Sequence, residues 1–150
     1  MTSPSLDQLI RHRIYAALAQ GTPAPSAASL AETLGVPAPE ARGALERLDA
    51  AHLLVLDAGT REVLMALPFS NVPTAYRVDG QGRSWNANCA WDALALTRLL
   101  HLREARVVDH GGVGREGRVL NVLDGELIEK DGVISVPRPA WRWWDDIVFT

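Results

Sequence analysis

Trp85-Asn86-Ala87-Asn88-Cys89-Ala90-Trp91-Asp92-Ala93-Leu94 changes its period partway along. Trp85 to Asn88 alternates apolar and polar residues, as a half-buried strand does. From Ala90 to Leu102 the apolar positions Ala93, Leu94, Leu96, Leu99 and Leu100 recur at helical spacing. The stretch therefore predicts a strand running directly into a helix, with Cys89 at the junction. Cys89 is the only cysteine in the 150 residues, and Asp92 follows it by three positions. Residues three apart on a helix share a face, with Cβ atoms about 5–6 Å apart.

Two readings of that pair stand on spacing alone. In one, Cys89 is a small buried hydrophobe and Asp92 is a first-turn carboxylate that favours the helix dipole. In the other, thiol and carboxyl converge on a small substrate. A helix N-terminus favours the thiolate, so Cys89 is expected to ionise more easily than a free cysteine. Trp85 and Trp91 are expected to form apolar walls, and desolvation between them would hold Asp92 protonated.

Upstream of the junction, Tyr76–Val78 reads as a strand, and Gly80-Gln81-Gly82 as the hairpin turn back to Trp85. Pro68 and Pro73 mark a connector. Before it, Leu6, Leu9, Ile10, Ile14, Ala17 and Leu18 predict a helix over 6–19. A short second helix, capped by Ser26 or Ser29, runs to Leu34, and a third starts near Pro39. Alternating strands follow at 52–56 and 62–66. Three helices and a hairpin make a winged helix-turn-helix at 1–66.

Downstream, strands are predicted at 105–109, 118–123, 127–129 and 133–136, punctuated by Asp124-Gly125 and Asp131-Gly132. The Trp141-Arg142-Trp143-Trp144 run and the tail 147–150 also read as extended, which sets Trp141 and Trp143 on one side and Arg142 and Trp144 on the other. The fold class expected is α+β: a winged-helix domain at 1–66 and a β-rich core at 67–150, with the Cys89 helix packed on the sheet.

The chain is 47% apolar with a net charge of −3, which suits a globular protein and gives no global attraction to nucleic acid or anionic membrane. No stretch reaches the ~20 apolar residues of a membrane span, the first fifteen residues hold no apolar run, and a lone cysteine forms no internal disulfide. A cytoplasmic location is expected. Residues 1–66 carry five arginines, no lysine and seven acids, a net of −2. DNA affinity depends on neutralising phosphates, so this surface argues against nucleic acid. His12, His52, His101 and His110 show no metal-ligand spacing within one element.

Pro68-Phe69-Ser70-Asn71-Val72-Pro73-Thr74, Tyr76-Arg77-Val78, and Trp85 through Cys89-Ala90-Trp91-Asp92-Ala93-Leu94 resemble the core of the organomercurial (alkylmercury) lyases. The resemblance spans most of the chain, and its specific part is 68–94. It implies protonolysis of a carbon–mercury bond in mercury detoxification, giving a hydrocarbon and Hg(II). Mercury is thiophilic, so a thiolate is its natural ligand. By position, Cys89 is the thiolate that takes mercury as substrate and holds it as product, and Asp92 is the proton carrier. Trp85 and Trp91 would bind the organic group. No cofactor is implied, but small thiols or another mercuric-ion acceptor would be needed to release the metal. The family also uses a second cysteine after a hydrophobic strand near its C-terminus. The expectation is truncation at or just before that donor, a selenocysteine codon read as stop being one form of it. The alternatives are a mercury- or soft-metal-binding protein without turnover, and a winged-helix metal-responsive regulator.

Overall fold

The computed structural model describes residues 3–136 and 138–148. Three helices open it: α1 (Leu6–Ala19), α2 (Ala27–Leu34) and α3 (Ala38–Ala50). Their starts follow from capping. Ser5 and Gln8 form a capping box on α1, Ser26 accepts the Ser29 N–H to cap α2, and a proline stands at the start of α3. The apolar faces meet through Ile10, Ile14, Leu30, Ala41, Ala44 and Leu45, all essentially inaccessible.

Eight strands follow: β1 (Val55–Leu56), β2 (Val63–Ala66), β3 (Phe69–Ser70), β4 (Tyr76–Gly80), β5 (Arg83–Ala87), β6 (Glu104–Asp109), β7 (Arg118–Leu123) and β8 (Glu126–Leu127). They form one antiparallel sheet in the order β1-β2-β3-β5-β4-β6-β7-β8. Helix α4 (Ala90–Leu99) connects β5 to β6.

Two hairpins match the turn residues closely. Gly80 pairs with Arg83 across Gln81-Gly82, and Leu123 pairs with Glu126 across Asp124-Gly125. All four loop residues have positive φ, the geometry whose twist suits adjacent antiparallel strands. Alternation then sorts the faces. Val78, Trp85, Val107 and Leu120 fall in one cross-strand row on the side that buries α4, while Arg77, Asn86 and Val108 line the other.

Several boundaries differ from the sequence reading. The strand expected at 52–56 starts at Val55, because His52 (φ 58°) closes α3 in a left-handed cap. Its N–H reaches the Asp49 carbonyl, and Leu53 N–H reaches that of Leu48. His101 (φ 52°) closes α4 in the same way, so both histidines sit at helix ends. The connector contains β3, which pairs with β2 on one side and β5 on the other and makes the sheet continuous. Residues 133–136 form no strand, and Val133 is 96% exposed. The tryptophan run is a 3-10 helix, Ala140–Asp145, so the two-sided strand pattern does not apply; Trp144 instead stacks on His52 at 4.0 Å. Ile147 and Val148 lie in a turn, and 149–150 fall outside the described residues.

The helices are tied to the sheet by specific bonds. Tyr15 Oη donates to the Leu67 carbonyl (2.9 Å), Trp85 Nε1 donates to that of Ala19 (3.2 Å), and Asn71 Oδ1 accepts the Ala24 N–H (2.8 Å). Helix α4 is held by burial of one face. Leu96 is 0% exposed and Leu99 is 53% exposed. Leu96→Ala should therefore cost about 2–5 kcal/mol in denaturant unfolding, whereas Leu99→Ala should change stability by no more than about 0.5 kcal/mol.

Candidate functional site

Strand β5 ends at Ala87, and Asn88 turns the chain into α4. Cys89 is the N-cap residue, in extended conformation (φ −149°, ψ 177°), and its sulfur accepts the backbone N–H of Asp92 at 3.4 Å. The junction is braced from the side. Asn88 Nδ2 donates to the carbonyls of Pro68 and Phe69, each at 3.3 Å. The Thr74 hydroxyl accepts the Tyr76 N–H and donates to the Ala87 carbonyl, fastening the start of β4 to the end of β5. The Pro68–Thr74 segment thus positions the start of α4.

The structure brings Cys89 and Asp92 together in the first turn, and both are half-buried. Burial pushes the Asp92 carboxyl above its ordinary value; hydrogen bonds from the Asn88 and Cys89 side chains pull the other way without prevailing. Burial also pushes the Cys89 thiol up. The Asp92 and Trp91 backbone N–H groups favour the thiolate, as expected of a helix N-terminus, while the Asp92 carboxylate opposes it. The expected easier ionisation of Cys89 is therefore reversed, because desolvation of the sulfur outweighs the helix-end effect. The result is a thiol and a carboxyl at the start of one helix that both hold protons more firmly than in water. Asn88 Oδ1 beside them is buried and has no partner among the described residues.

The two tryptophans separate. Trp91 is 64% exposed on the first turn of α4. Trp85 is buried at 5% exposure and lines a cavity of about 110 Å³ with Leu18, Phe69, Ser70 and Asn71 rather than with Cys89. A further set of polar groups was not singled out from the sequence. Tyr76 lies directly across from Ala87 on one side and Asp109 on the other. Asp109 grips Arg115 through both guanidinium ends, and Arg115 Nη2 donates to Tyr76 Oη at 3.5 Å. Strand alternation carried the signal, but reading it required the register of three strands.

The raised Asp92 carboxyl makes a sign-definite prediction. The folded protein holds this proton more tightly than the unfolded chain, so the group stabilises the fold less as pH rises above the ordinary value of 3.8. The loss is complete once the pH passes the raised folded value. Asp92→Asn removes the ionisation and keeps the shape. It should raise the thermal midpoint at neutral pH, with the gain shrinking as pH falls toward 3.8.

Comparison with known proteins agrees with the fold. None of the curated proteins compared with the chain matches it. A solved structure, the mercury-bound form of MerB2, superposes with a TM-score of 0.65 at 21% identity. The superposition takes in 84% of this chain and 60% of that one, so the chain spans three fifths of that protein's length. At this identity the likeness speaks for the fold: mixed helices on an antiparallel sheet. The profile of the alkylmercury lyases matches residues 69–150, which include β3 through β8, α4 and both Cys89 and Asp92. This match covers more than half of the sequence, and the chain belongs to the alkylmercury lyase family.

Proposed function

We propose that this protein cleaves carbon–mercury bonds by protonolysis, with Cys89 as the sulfur that takes mercury and Asp92 as the proton carrier. The observation that carries the reading is the pair itself: a thiol and a carboxyl share the half-buried start of α4, and burial raises the proton affinity of both. As the sulfur bonds to mercury, its proton passes to the Asp92 carboxylate, which burial has made a stronger base. Donation from sulfur builds electron density on the bound carbon, and Asp92 returns the proton to that carbon as the bond to mercury breaks. Thiol and organomercury cation become hydrocarbon and Hg(II) on Cys89, with atoms and charge conserved. Membership of the family supports this chemistry, and the mercury in the similar MerB2 structure supports a mercury-bearing ligand. Trp91, exposed at the site's edge, is placed to cover the organic group. Trp85 would act from beneath, through the core.

The proposal extends to the organisation of the chain. Residues 1–66 form a winged-helix-like unit and 67–150 the lyase-like core, joined by the common sheet. The helical unit serves as a cover rather than a DNA reader. Arg47 on α3 is committed to Asp7 (2.6 Å), and Arg61 faces Asp49 (3.5 Å). No resident cofactor is required, and small thiols or a mercuric-ion acceptor carry Hg(II) away. No helix among the described residues is long and apolar enough to cross a membrane, and the proposed site of action is the cytoplasm.

The test is incubation with an alkyl- or arylmercurial and excess small thiol, with the released hydrocarbon measured by gas chromatography. Release is expected, abolished in Cys89→Ser and slowed by about 10²–10⁴-fold in Asp92→Ala, the usual contribution of a positioned acid. Mercury retained on Cys89 with no hydrocarbon would replace the lyase reading with that of a binding protein. Salt-sensitive retention on promoter DNA would favour a regulator.

A further inference from the structure

Asp109, Arg115 and Tyr76 form a polar cluster at the end of the buried sheet face, beside the start of α4. Tyr76, Ala87 and Asp109 stand in one cross-strand row, and Cys89 follows Ala87 by two residues. The β6–β7 connection is folded tightly to deliver Arg115 there. A Cβ on Gly111 (φ 76°) would come within 2.6 Å of the Arg115 carbonyl, and one on Gly117 within 2.5 Å of that of Asp109. Asp109 is mostly buried; it accepts the Gly111 N–H at 2.8 Å as well as both ends of the Arg115 guanidinium. This is a fixed cation, unlike a surface ion pair on two mobile side chains. Arg115 is half-exposed and points its Nη2 at the Tyr76 oxygen. With that oxygen accepting, the phenol proton is available to a further acceptor. Burial pushes the Tyr76 phenol above its ordinary value, the Asp109 carboxylate adds to this and Arg115 opposes it, and the Cys89 sulfur contributes a smaller push upward.

We infer that Tyr76 and Arg115 form the subsite that receives the anionic ligand displaced from mercury when Cys89 attacks. Organomercury cations are thiophilic and travel bound to thiolates wherever thiols are present. Capture by Cys89 is then a ligand exchange. The bond from mercury to the incoming Cys89 sulfur forms, the bond to the carrier sulfur breaks, and the carrier leaves with the electron pair as a thiolate. The Cys89 proton goes to Asp92, as above. Negative charge grows on the departing sulfur, and a phenol backed by a guanidinium meets it with charge-assisted hydrogen bonds. Removal of Hg(II) from Cys89 is a later thiolate exchange of the same kind, and the same subsite would admit the incoming small thiol.

The inference rests on Cys89 as the mercury-taking sulfur, but its test does not need carbon–mercury cleavage. Full-length protein is mixed with an arylmercury compound carried on a series of uncharged small thiols, from acidic arylthiols to basic alkylthiols. Formation of the Cys89 adduct is followed by quenched-flow mass spectrometry. In the wild type, capture should depend weakly on the basicity of the departing thiol. In Tyr76→Phe and Arg115→Met it should slow on the order of tenfold for the most basic carriers, and much less for the most acidic, giving a steeper dependence. Equal slowing for every carrier, or none, in folded variants would overturn the subsite. Arg115→Met lies outside the buried core and carries the test alone should Tyr76→Phe lose cooperative unfolding. A wild type that captures with this dependence yet releases no hydrocarbon would overturn the lyase reading and leave the subsite standing.

Discussion

Desolvation of a carboxyl group beside a thiol is the constraint on which the proposed chemistry depends. In water a carboxyl gives up its proton too readily to carry one to carbon. Burial raises the proton affinity of both groups at the start of α4. Their proximity lets one proton serve both, since what the sulfur releases the carboxyl can hold and return. The helix end contributes by directing N–H groups at the sulfur, which limits the cost of making it anionic.

That microenvironment is built by the sheet more than by the helix. Strand β5 has partners on both sides, β3 and β4, and its C-terminal end is fastened by Thr74 and Asn88. These bonds fix where Cys89 emerges. The Pro68–Thr74 segment reads as a mere connector in sequence, yet it forms the brace behind the site. The same cross-strand register brings Tyr76, Asp109 and hence Arg115 to the sulfur's side. A change in pairing by one residue would turn them all to the opposite face.

Legibility in the sequence tracked how local each determinant is. Hairpins at Gln81-Gly82 and Asp124-Gly125 were readable because two-residue turns demand residues that tolerate positive φ. The change of period at Asn88 placed α4, since hydrophobic spacing is a property of the segment alone. Strand β3 was not readable, being two residues long and set between prolines. The alternating apolar residues at 133–136 promised a strand, but a strand also requires a partner edge, which periodicity does not report. The ionisation of Cys89 was read with the wrong sign, because the helix end is visible in sequence and the burial of the sulfur is not. Trp85 was expected beside the sulfur, but alternation places it in the core two rungs of β5 away, bonded to α1.

The central claim is that the proton delivered to carbon is exchangeable and comes through the Cys89–Asp92 pair. A single-turnover reaction in deuterium oxide checks this, with the protein in excess over an alkylmercurial and the hydrocarbon analysed by mass spectrometry. One deuterium per hydrocarbon molecule is expected, with Hg(II) left on Cys89. Unlabelled hydrocarbon, or labelled hydrocarbon formed equally fast by Asp92→Asn, would contradict it.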